Sequence, residues 1–261
     1  MKLLLIITLF IMSSLNTMAE IITSDVEYKI GDVTLQGYIA YDNSSQEKRP
    51  GVLIVHQWKG LTDYEKSRAV QIAELGYVAF AVDIYGKGIR PSTSEEASKT
   101  AGQFYADVML YRERLNAGLN ELKMQPLVDP DKIAAIGYCF GGGGVLELAR
   151  SGAEILGVVT FHGSLKSQNP DDAKNIKCRV LVQHGAIDPF VKEEDVIGFK
   201  KEMEDANVDY VLTEYSGAVH SFTQKSAGND VTQGSAYNEN ADKRSWEAMK
   251  MFLKEIFATS W

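Results

Sequence analysis

The sequence predicts an α/β protein with a largely parallel sheet that is covered by helices on both faces. From residue 51 onward, short apolar runs alternate with segments in which apolar residues recur at helical spacing. This alternation is typical of parallel strands joined by crossover helices. Before it, two segments of alternating polarity flank Gly31 and Asp32, which predicts an N-terminal antiparallel hairpin.

The predicted elements follow in order along the chain. The hairpin strands are predicted at residues 21–30 and 33–41, and a loop follows at 42–50. Further strands are predicted at 51–56, 77–84, 132–136, 155–161, 178–183 and 209–215. Helices are predicted at 64–75, 95–124, 192–206 and 242–257, with another that continues from residue 142. Two loose loops, 86–94 and 216–240, follow strands and are expected to shape a pocket, because ligand sites in open α/β sheets lie beyond the carboxyl ends of strands.

Residues 1–19 are typical of a cleaved export signal. Lys2 provides positive charge, a mostly apolar run follows, and a polar segment with small residues ends at Ala19. The alternative is a membrane anchor, but the apolar run is about half of the ~20 residues that a bilayer span needs. We therefore expect cleavage before Glu20, a periplasmic or secreted location, and a single domain over residues 20–261.

The charge of the chain argues against several classes of partner. Removing residues 1–19 takes away one lysine and no acidic residue, which leaves 26 basic and 35 acidic side chains and a net charge of −9. An acidic surface disfavours nucleic acid and anionic membranes as partners. The remaining length, about 240 residues, allows one large domain with a substantial core.

A glycine-flanked cysteine is the most informative feature of the chain. The sequence Gly-Tyr-Cys-Phe-Gly at residues 137–141 places Cys139 between a predicted strand and a predicted helix. Flanking residues without Cβ atoms permit a sharp turn that presents a nucleophile, and the N–H groups of the following helix favour a thiolate and an oxyanion. On this segment alone, the alternative of a flexible glycine-rich loop with a buried, inert cysteine stays open.

A nucleophilic cysteine needs an imidazole to take its proton and a carboxylate to orient that imidazole. His220 lies in the loop between the last predicted strand and the last predicted helix, where a rigid sheet can position a base. Asp188 follows a strand end and is the candidate acid, with a role in a turn or helix cap as its alternative. The histidines that are expected to be structural are His56, His162 and His184.

The order of these candidates along the chain supports a triad. Cys139, Asp188 and His220 follow three different predicted strands in the order nucleophile, acid, base, which is the order of the α/β-hydrolase triad. A disulfide between Cys139 and Cys178 is the alternative use of the cysteine. Because one cysteine follows its strand and the other opens its strand, they are expected at opposite edges of the sheet as free thiols, with Cys178 in the core.

On six segments the sequence resembles the dienelactone hydrolase family of α/β-hydrolases over residues 33–257. The segments are Val-His-Gln-Trp-Lys-Gly at 55–60, Asp-Ile-Tyr-Gly at 83–86, Ile-Gly-Tyr-Cys-Phe-Gly-Gly at 136–142, Phe-His-Gly at 161–163, His-Gly-Ala-Ile-Asp at 184–188 and His-Ser-Phe at 220–222. The cysteine within the elbow distinguishes this family from the commoner serine hydrolases. The resemblance implies an α/β-hydrolase fold.

The resemblance also implies a mechanism. Cys139 would be the nucleophile, His220 the general base and then acid, and Asp188 the group that orients His220. The backbone N–H groups of Trp58 and Phe140 would form the oxyanion hole. Attack on a small-molecule ester or lactone would give a thioester that water hydrolyses. No cofactor is implied, and the sequence lacks the close His, Cys and Asp spacing of a metal site.

Three positions depart from the dienelactone-cleaving members of that family. Gln57 stands where those members have a glutamate that interacts with the cysteine, and a glutamine cannot take up a proton at neutral pH. Lys87 and Gln224 match the two arginines that bind the substrate carboxylate, so the bidentate fork is lost at both positions. A neutral or weakly charged acyl group is therefore expected. The expected pocket is apolar and involves Trp58, Tyr85 and Phe140.

Two other functions are compatible with these residues. Gln57 and the missing arginines would suit a binding protein on a hydrolase scaffold with low turnover. A thiolate at a helix N-terminus would suit a redox sensor, although no resolving cysteine lies near Cys139 in the sequence. The natural ester and the oligomeric state stay open at this level.

Overall fold

The computed structural model describes residues 20–258 and contains one eight-stranded sheet with the order β1-β2-β4-β3-β5-β6-β7-β8. The strands are β1 (Ile21–Ile30), β2 (Val33–Asp42), β3 (Arg49–Val55), β4 (Val78–Val82), β5 (Val128–Tyr138), β6 (Gly157–Phe161), β7 (Arg179–Gly185) and β8 (Tyr210–Tyr215). Strand β2 pairs antiparallel with both β1 and β4, and the remaining five pairs are parallel. The predicted mixed sheet is confirmed.

Helices cover both faces of this sheet. They are α1 (Asp63–Glu74), α2 (Ser94–Ala106), α3 (Val108–Met124), α4 (Phe140–Arg150), α5 (Glu193–Asp205) and α6 (Glu239–Ala258). On β3, Leu53 packs into a core shared with α2 to α5, and its neighbour Ile54 packs into a second core shared with α1 and α6. Because successive strand residues point to opposite faces, one strand supplies both cores.

The predicted helix 95–124 is two helices. The chain breaks at Asp107, whose backbone leaves helical geometry at φ −117° and ψ 88°. The Asp107 carboxylate accepts a hydrogen bond from the Leu110 amide at 3.0 Å and so starts α3 as a new helix. Side-chain capping by an aspartate in the middle of the pattern thus overrides the helical periodicity.

Two element boundaries also differ from the prediction at the cysteine. Strand β5 runs from Val128 to Tyr138 rather than from 132 to 136, and α4 begins at Phe140 rather than at residue 142. Strand and helix are therefore separated by Cys139 alone. Within residues 20–258, no helix combines the length and apolarity that a membrane span requires. The predicted export signal lies outside the described residues.

Candidate active site

Cys139 occupies a sharp turn between β5 and α4 with φ at 54°, in the left-handed region. Its amide donates to the carbonyl of Phe161 on β6 at 3.0 Å, which anchors the turn. A Cβ atom at Gly137 would lie 2.0 Å from the Gly141 carbonyl oxygen, and one at Gly141 would lie 2.2 Å from the Val55 carbonyl oxygen. Both flanking glycines are thus required by the close approach of strand and helix.

The structure brings the three predicted site residues together. His220 Nε2 lies 3.0 Å from Cys139 Sγ, and His220 Nδ1 lies 2.8 Å from Asp188 Oδ2. The Asp188 side chain is fully buried, and its other oxygen accepts from the Phe190 amide at 2.9 Å. Asp188 therefore orients the imidazole and also holds its own turn, so the two roles considered for it are compatible.

Electrostatics favour a charged imidazole at this position. Burial on its own lowers the pKa of His220, but the negative charge of a Cys139 thiolate and the hydrogen bond that His220 donates to Asp188 outweigh it and raise this pKa to about 10. An imidazolium is then present at neutral pH and is paired with the sulfur. The ring is held in place by edge contacts with His162 and Phe190, at centroid distances of 5.2 and 5.4 Å.

The two backbone N–H groups that the family resemblance implies for the oxyanion hole have no acceptor within residues 20–258. One belongs to Phe140, the first residue of α4, whose N–H points out of the helix start. The other belongs to Trp58, in the loop that follows β3. Unpaired donors of this kind are what an oxyanion hole needs.

The loop that carries Trp58 is bonded on several sides. Glu65, in the first turn of α1, accepts from the amides of Gln57 at 3.1 Å and Thr62 at 2.9 Å. The Tyr85 hydroxyl donates to the Trp58 carbonyl at 2.9 Å. Glu65 also completes the capping box of α1, so the same carboxylate starts the helix and holds the loop.

His56 contributes a further bond to this loop. Its Nε2 accepts from the Ile84 amide at 3.2 Å, so the proton sits on Nδ1, which donates to the Gln57 carbonyl at 2.6 Å. Burial lowers the pKa of His56 to about 4, which keeps the ring neutral at physiological pH. Because C=O and N–H of a trans peptide point in opposite directions, this bond also sets the direction of the Trp58 N–H.

A cavity of about 490 Å³ opens beside Cys139 and His220. Its volume falls within the range of small-molecule sites. One wall is aromatic and comes from α2 and α3, the opposite wall is a polar loop after β6, and the loop after β7 flanks the mouth. The lining residues are Phe104, Tyr105, Val108, Tyr111, Cys139, Gly143, Glu147, Ser164, Lys166, Ser167, Gln168, Phe190, Val191 and His220.

The four residues predicted to bind substrate lie elsewhere. Gln57 is buried in the loop after β3, and Tyr85 is buried against the aromatic cluster. Lys87 forms an exposed ion pair with Glu27 of β1, and Gln224 precedes a short 3₁₀ helix. None of the four lines the cavity. Their predicted role in substrate binding stays a prediction, while in the structure they take part in hairpin contacts and loop packing.

Apart from Cys139 and His220, sequence reasoning missed the residues that line the cavity. In the sequence, the aromatic side chains of α2 and α3 look like the buried face of one long helix. In the structure, which has two helices here, they line the cavity beside Cys139. Exposed Phe190 also reaches the mouth, although it gave no signal beyond its position after Asp188. These contacts join segments that are far apart in the sequence, so local patterns cannot report them.

Cys178 is a free, buried thiol, and Cys139 is free and partly exposed. Burial raises the pKa of Cys178 to about 12, which makes this thiol inert at neutral pH. Among residues 20–258, no group of three or more His, Cys, Asp or Glu side chains could hold a metal ion. Cys139 is therefore the cysteine that is available for chemistry.

Known proteins resemble this chain over nearly its whole length. The family model described as "Dienelactone hydrolase family" matches residues 35–257. A dienelactone hydrolase-like promiscuous phosphotriesterase from metagenomic libraries is 38% identical, with 90% of this chain and 98% of that chain covered at a TM-score of 0.87. Protein usf of Aquifex pyrophilus is 28% identical over 88% of this chain and 97% of its own length.

A more distant structure shows the same fold. The dienelactone hydrolase from Anabaena variabilis is 19% identical, with 88% of this chain and 98% of that chain covered at a TM-score of 0.62. The cysteine elbow, the sheet order and the family match agree with one another. The chain therefore belongs to the dienelactone hydrolase family and is an ester or lactone hydrolase with the α/β-hydrolase fold.

Proposed function

We propose that the chain is an exported hydrolase that cleaves small ester or lactone bonds through a Cys139-His220-Asp188 triad and a thioester intermediate. The observation that carries the proposal is the pair of hydrogen bonds at 3.0 and 2.8 Å that links the three side chains beside an open cavity. A nucleophile, a base and an orienting acid in hydrogen-bond contact are the requirements of covalent acyl transfer.

In the first half of the reaction, the Cys139 thiolate attacks the carbonyl carbon, and the carbonyl π electrons move to oxygen. The N–H groups of Trp58 and Phe140 bind this oxyanion, and each donor of this kind contributes about 100- to 1,000-fold to the rate. When the carbonyl re-forms, the C–O bond to the leaving group breaks and His220 Nε2 gives its proton to the departing oxygen. The products are an alcohol and a thioester on Cys139.

In the second half, His220 Nε2 takes a proton from water while the water oxygen attacks the thioester. The second tetrahedral intermediate collapses and expels the Cys139 thiolate, which releases a carboxylic acid and restores the imidazolium. Asp188 accepts the hydrogen bond from His220 Nδ1 and so keeps the imidazole in the required tautomer. The Gln57 side chain does not take up or release a proton at neutral pH, so His220 alone carries out the proton transfers.

The test is hydrolysis of short p-nitrophenyl esters by the wild type and by Cys139→Ala. We expect turnover by the wild type, loss of at least 1,000-fold in the variant, and an acyl adduct on Cys139 that mass spectrometry detects after rapid acid quenching. Cys178→Ala is the matched control and should behave as wild type. Equal activity in Cys139→Ala and wild type would refute the triad.

Hydrolysis of neutral phosphate triesters is a second candidate activity. It is favoured by the 38% identity to a promiscuous phosphotriesterase and by a cavity without the paired arginines that suit an anionic substrate. The thiolate would attack phosphorus and displace an aryloxide. Measurement of p-nitrophenol release from a diethyl aryl phosphate tests this activity, and identical rates with and without enzyme would exclude it.

Two non-hydrolytic readings make different predictions. A low-turnover binding protein should gain activity when Gln57→Glu restores a titratable group, and no gain removes its support. A redox sensor should carry an oxidised Cys139 after peroxide treatment, and an unmodified thiol excludes it. Export is tested separately by N-terminal sequencing of the mature protein, which should begin at Glu20.

A further inference from the structure

Four consecutive glycines, 141–144, follow Phe140 in the first turns of helix α4, and three of them have a steric reason to be glycine. A Cβ atom would lie 2.2 Å from the Val55 carbonyl oxygen at Gly141, 2.6 Å from Thr160 Oγ1 at Gly142, and 2.2 Å from the Tyr111 hydroxyl oxygen at Gly144. At Gly143 the nearest atom would be the Ser164 carbonyl oxygen at 3.5 Å, an ordinary contact. Packing of the backbone therefore does not explain Gly143.

Gly143 faces the cavity instead. Cys139, Gly143 and Glu147 all line it and recur every four residues, so they lie on one face of α4. At a rise of about 1.5 Å per residue, this face extends roughly 12 Å from the nucleophile to Glu147. Any side chain larger than a methyl group at 143 would project from the middle of this face, between the sulfur and the far end of the cavity.

The two walls beside this face differ in polarity. Phe104, Tyr105 and Tyr111 form an aromatic wall, and the loop with Ser164 and Gln168 forms a polar one. The Gln168 side-chain amide donates to the Tyr105 carbonyl at 2.6 Å and holds the two walls together. An aromatic wall of this kind suits the flat face of an aryl group.

The far end of the cavity carries the negative charge of Glu147, which two arginines neutralise. One carboxylate oxygen of Glu147 accepts a hydrogen bond from Arg112 at 2.7 Å, and the other accepts one from Arg150 at 2.8 Å. Lys166, which also lines the cavity, is 70% exposed and lies 3.8 Å from Asp195. Burying a charged ligand here would need an unpaired counter-charge inside the cavity, so an uncharged group is favoured.

We propose that Gly143 keeps open a channel along α4 that takes an uncharged, aryl-sized substituent of the ester, stacked on the aromatic wall between Cys139 and Glu147. This inference rests on the proposed hydrolase function and adds the substrate class: neutral esters with a phenyl-bearing acyl or alcohol group. Gly143 is then a specificity residue. A bulky side chain at 143 occupies the space of the aryl group without touching the triad contacts.

The experiment compares kcat/KM for ethyl acetate, ethyl 3-phenylpropanoate and 2-phenylethyl acetate by proton release. In the wild type, at least one phenyl-bearing ester should be preferred over ethyl acetate by about 10- to 100-fold. Gly143→Ala should keep this preference. In Gly143→Leu, the kcat/KM values for the phenyl-bearing esters and for ethyl acetate should lie within about threefold of each other. Gly198→Leu is the control, because Gly198 is a helical glycine with open space around it and lies outside the cavity lining.

A second measurement keeps this inference separate from ester turnover. Alkylation of Cys139 by phenacyl bromide relative to iodoacetamide should fall in Gly143→Leu and stay at the wild-type ratio in Gly198→Leu. An unchanged preference in both assays for Gly143→Leu overturns the channel. Ester hydrolysis that persists in Cys139→Ala overturns the proposed function instead, and the alkylation ratio still decides on the channel.

Discussion

His56→Phe is the change that best tests how the Trp58 amide is aimed. Phenylalanine keeps the stacking of His56 on Phe140, at a centroid distance of 5.7 Å, but removes the bond to the Gln57 carbonyl and the acceptor for the Ile84 amide. The Trp58 carbonyl, which belongs to the following peptide group, keeps its bond from Tyr85. The peptide group that contains the Gln57 carbonyl and the Trp58 N–H loses its bond from His56.

The magnitude follows from the bonds that are lost. Complete loss of one oxyanion donor costs about 100- to 1,000-fold in kcat. Here the donor stays and is only less well aimed, because the Gly60 amide still donates to the Gln57 carbonyl at 3.1 Å. We therefore expect a fall of roughly 10- to 100-fold in kcat with a small change in KM. The buried Ile84 N–H is left unpaired, which lowers the free energy of unfolding by about 1–3 kcal/mol.

The assay pairs ester hydrolysis with alkylation of Cys139 by iodoacetamide. Alkylation displaces iodide at a saturated carbon and forms no oxyanion, so His56→Phe should slow hydrolysis and leave alkylation near the wild-type rate. His184→Phe is the matched control, because His184 is also a nearly buried histidine at a strand end but makes no bond to the Trp58 loop. Equal losses in both reactions, or no loss in hydrolysis, would refute the positioning role of His56.

Three further predictions concern stability and are checked by urea denaturation. Burial lowers the pKa of His56 from 6.5 to about 4, so the folded state binds fewer protons than the unfolded chain in this window, and the free energy of unfolding should fall by about 3 kcal/mol from this residue as pH drops from 7 to 4. A flat profile would contradict it. The buried Glu202 carboxylate is paired with Arg150 at 2.7 Å, and Arg150→Met removes this partner. The substitution should lower the free energy of unfolding by about 3–5 kcal/mol. A decrease below about 1 kcal/mol would show that the pair is not coupled. Gly143→Ala should stabilise the protein by about 0.5–1 kcal/mol, whereas Gly144→Ala should destabilise it, because its Cβ would lie 2.2 Å from a tyrosine hydroxyl oxygen. Equal signs for the two would contradict the steric difference between them.

Much of the fold and part of the site could be predicted from local patterns. Strand and helix positions follow from apolar periodicity, and every predicted strand is present within a few residues of its predicted bounds. The glycines around Cys139 indicate a tight turn because backbone crowding at such a turn excludes Cβ atoms. The helix break at Asp107 was missed, since an aspartate in a helical pattern reads equally well as a solvated side chain.

The substrate side of the site shows where local reasoning ends. The family resemblance predicts a binding role for Lys87, and in the structure its side chain forms an ion pair with Glu27 of the hairpin. Whether a charged side chain faces a cavity or a neighbouring strand depends on packing between distant segments. The same holds for His56, which the sequence presents as one of several strand-end histidines and the structure places against the Gln57 carbonyl.

The sequence by itself determined the α/β layer order, the strained elbow at Cys139 and the chain order of the three triad candidates. These are properties of short segments, where backbone sterics and periodicity act within a few residues. Only the tertiary structure decided that Asp188 and His220 lie at 2.8 and 3.0 Å from their partners, and that a cavity lined by Gly143 opens beside them. Cavity shape and hydrogen-bond partners arise from contacts between segments that are many residues apart, so they become defined only when the sheet is assembled and its helices are packed.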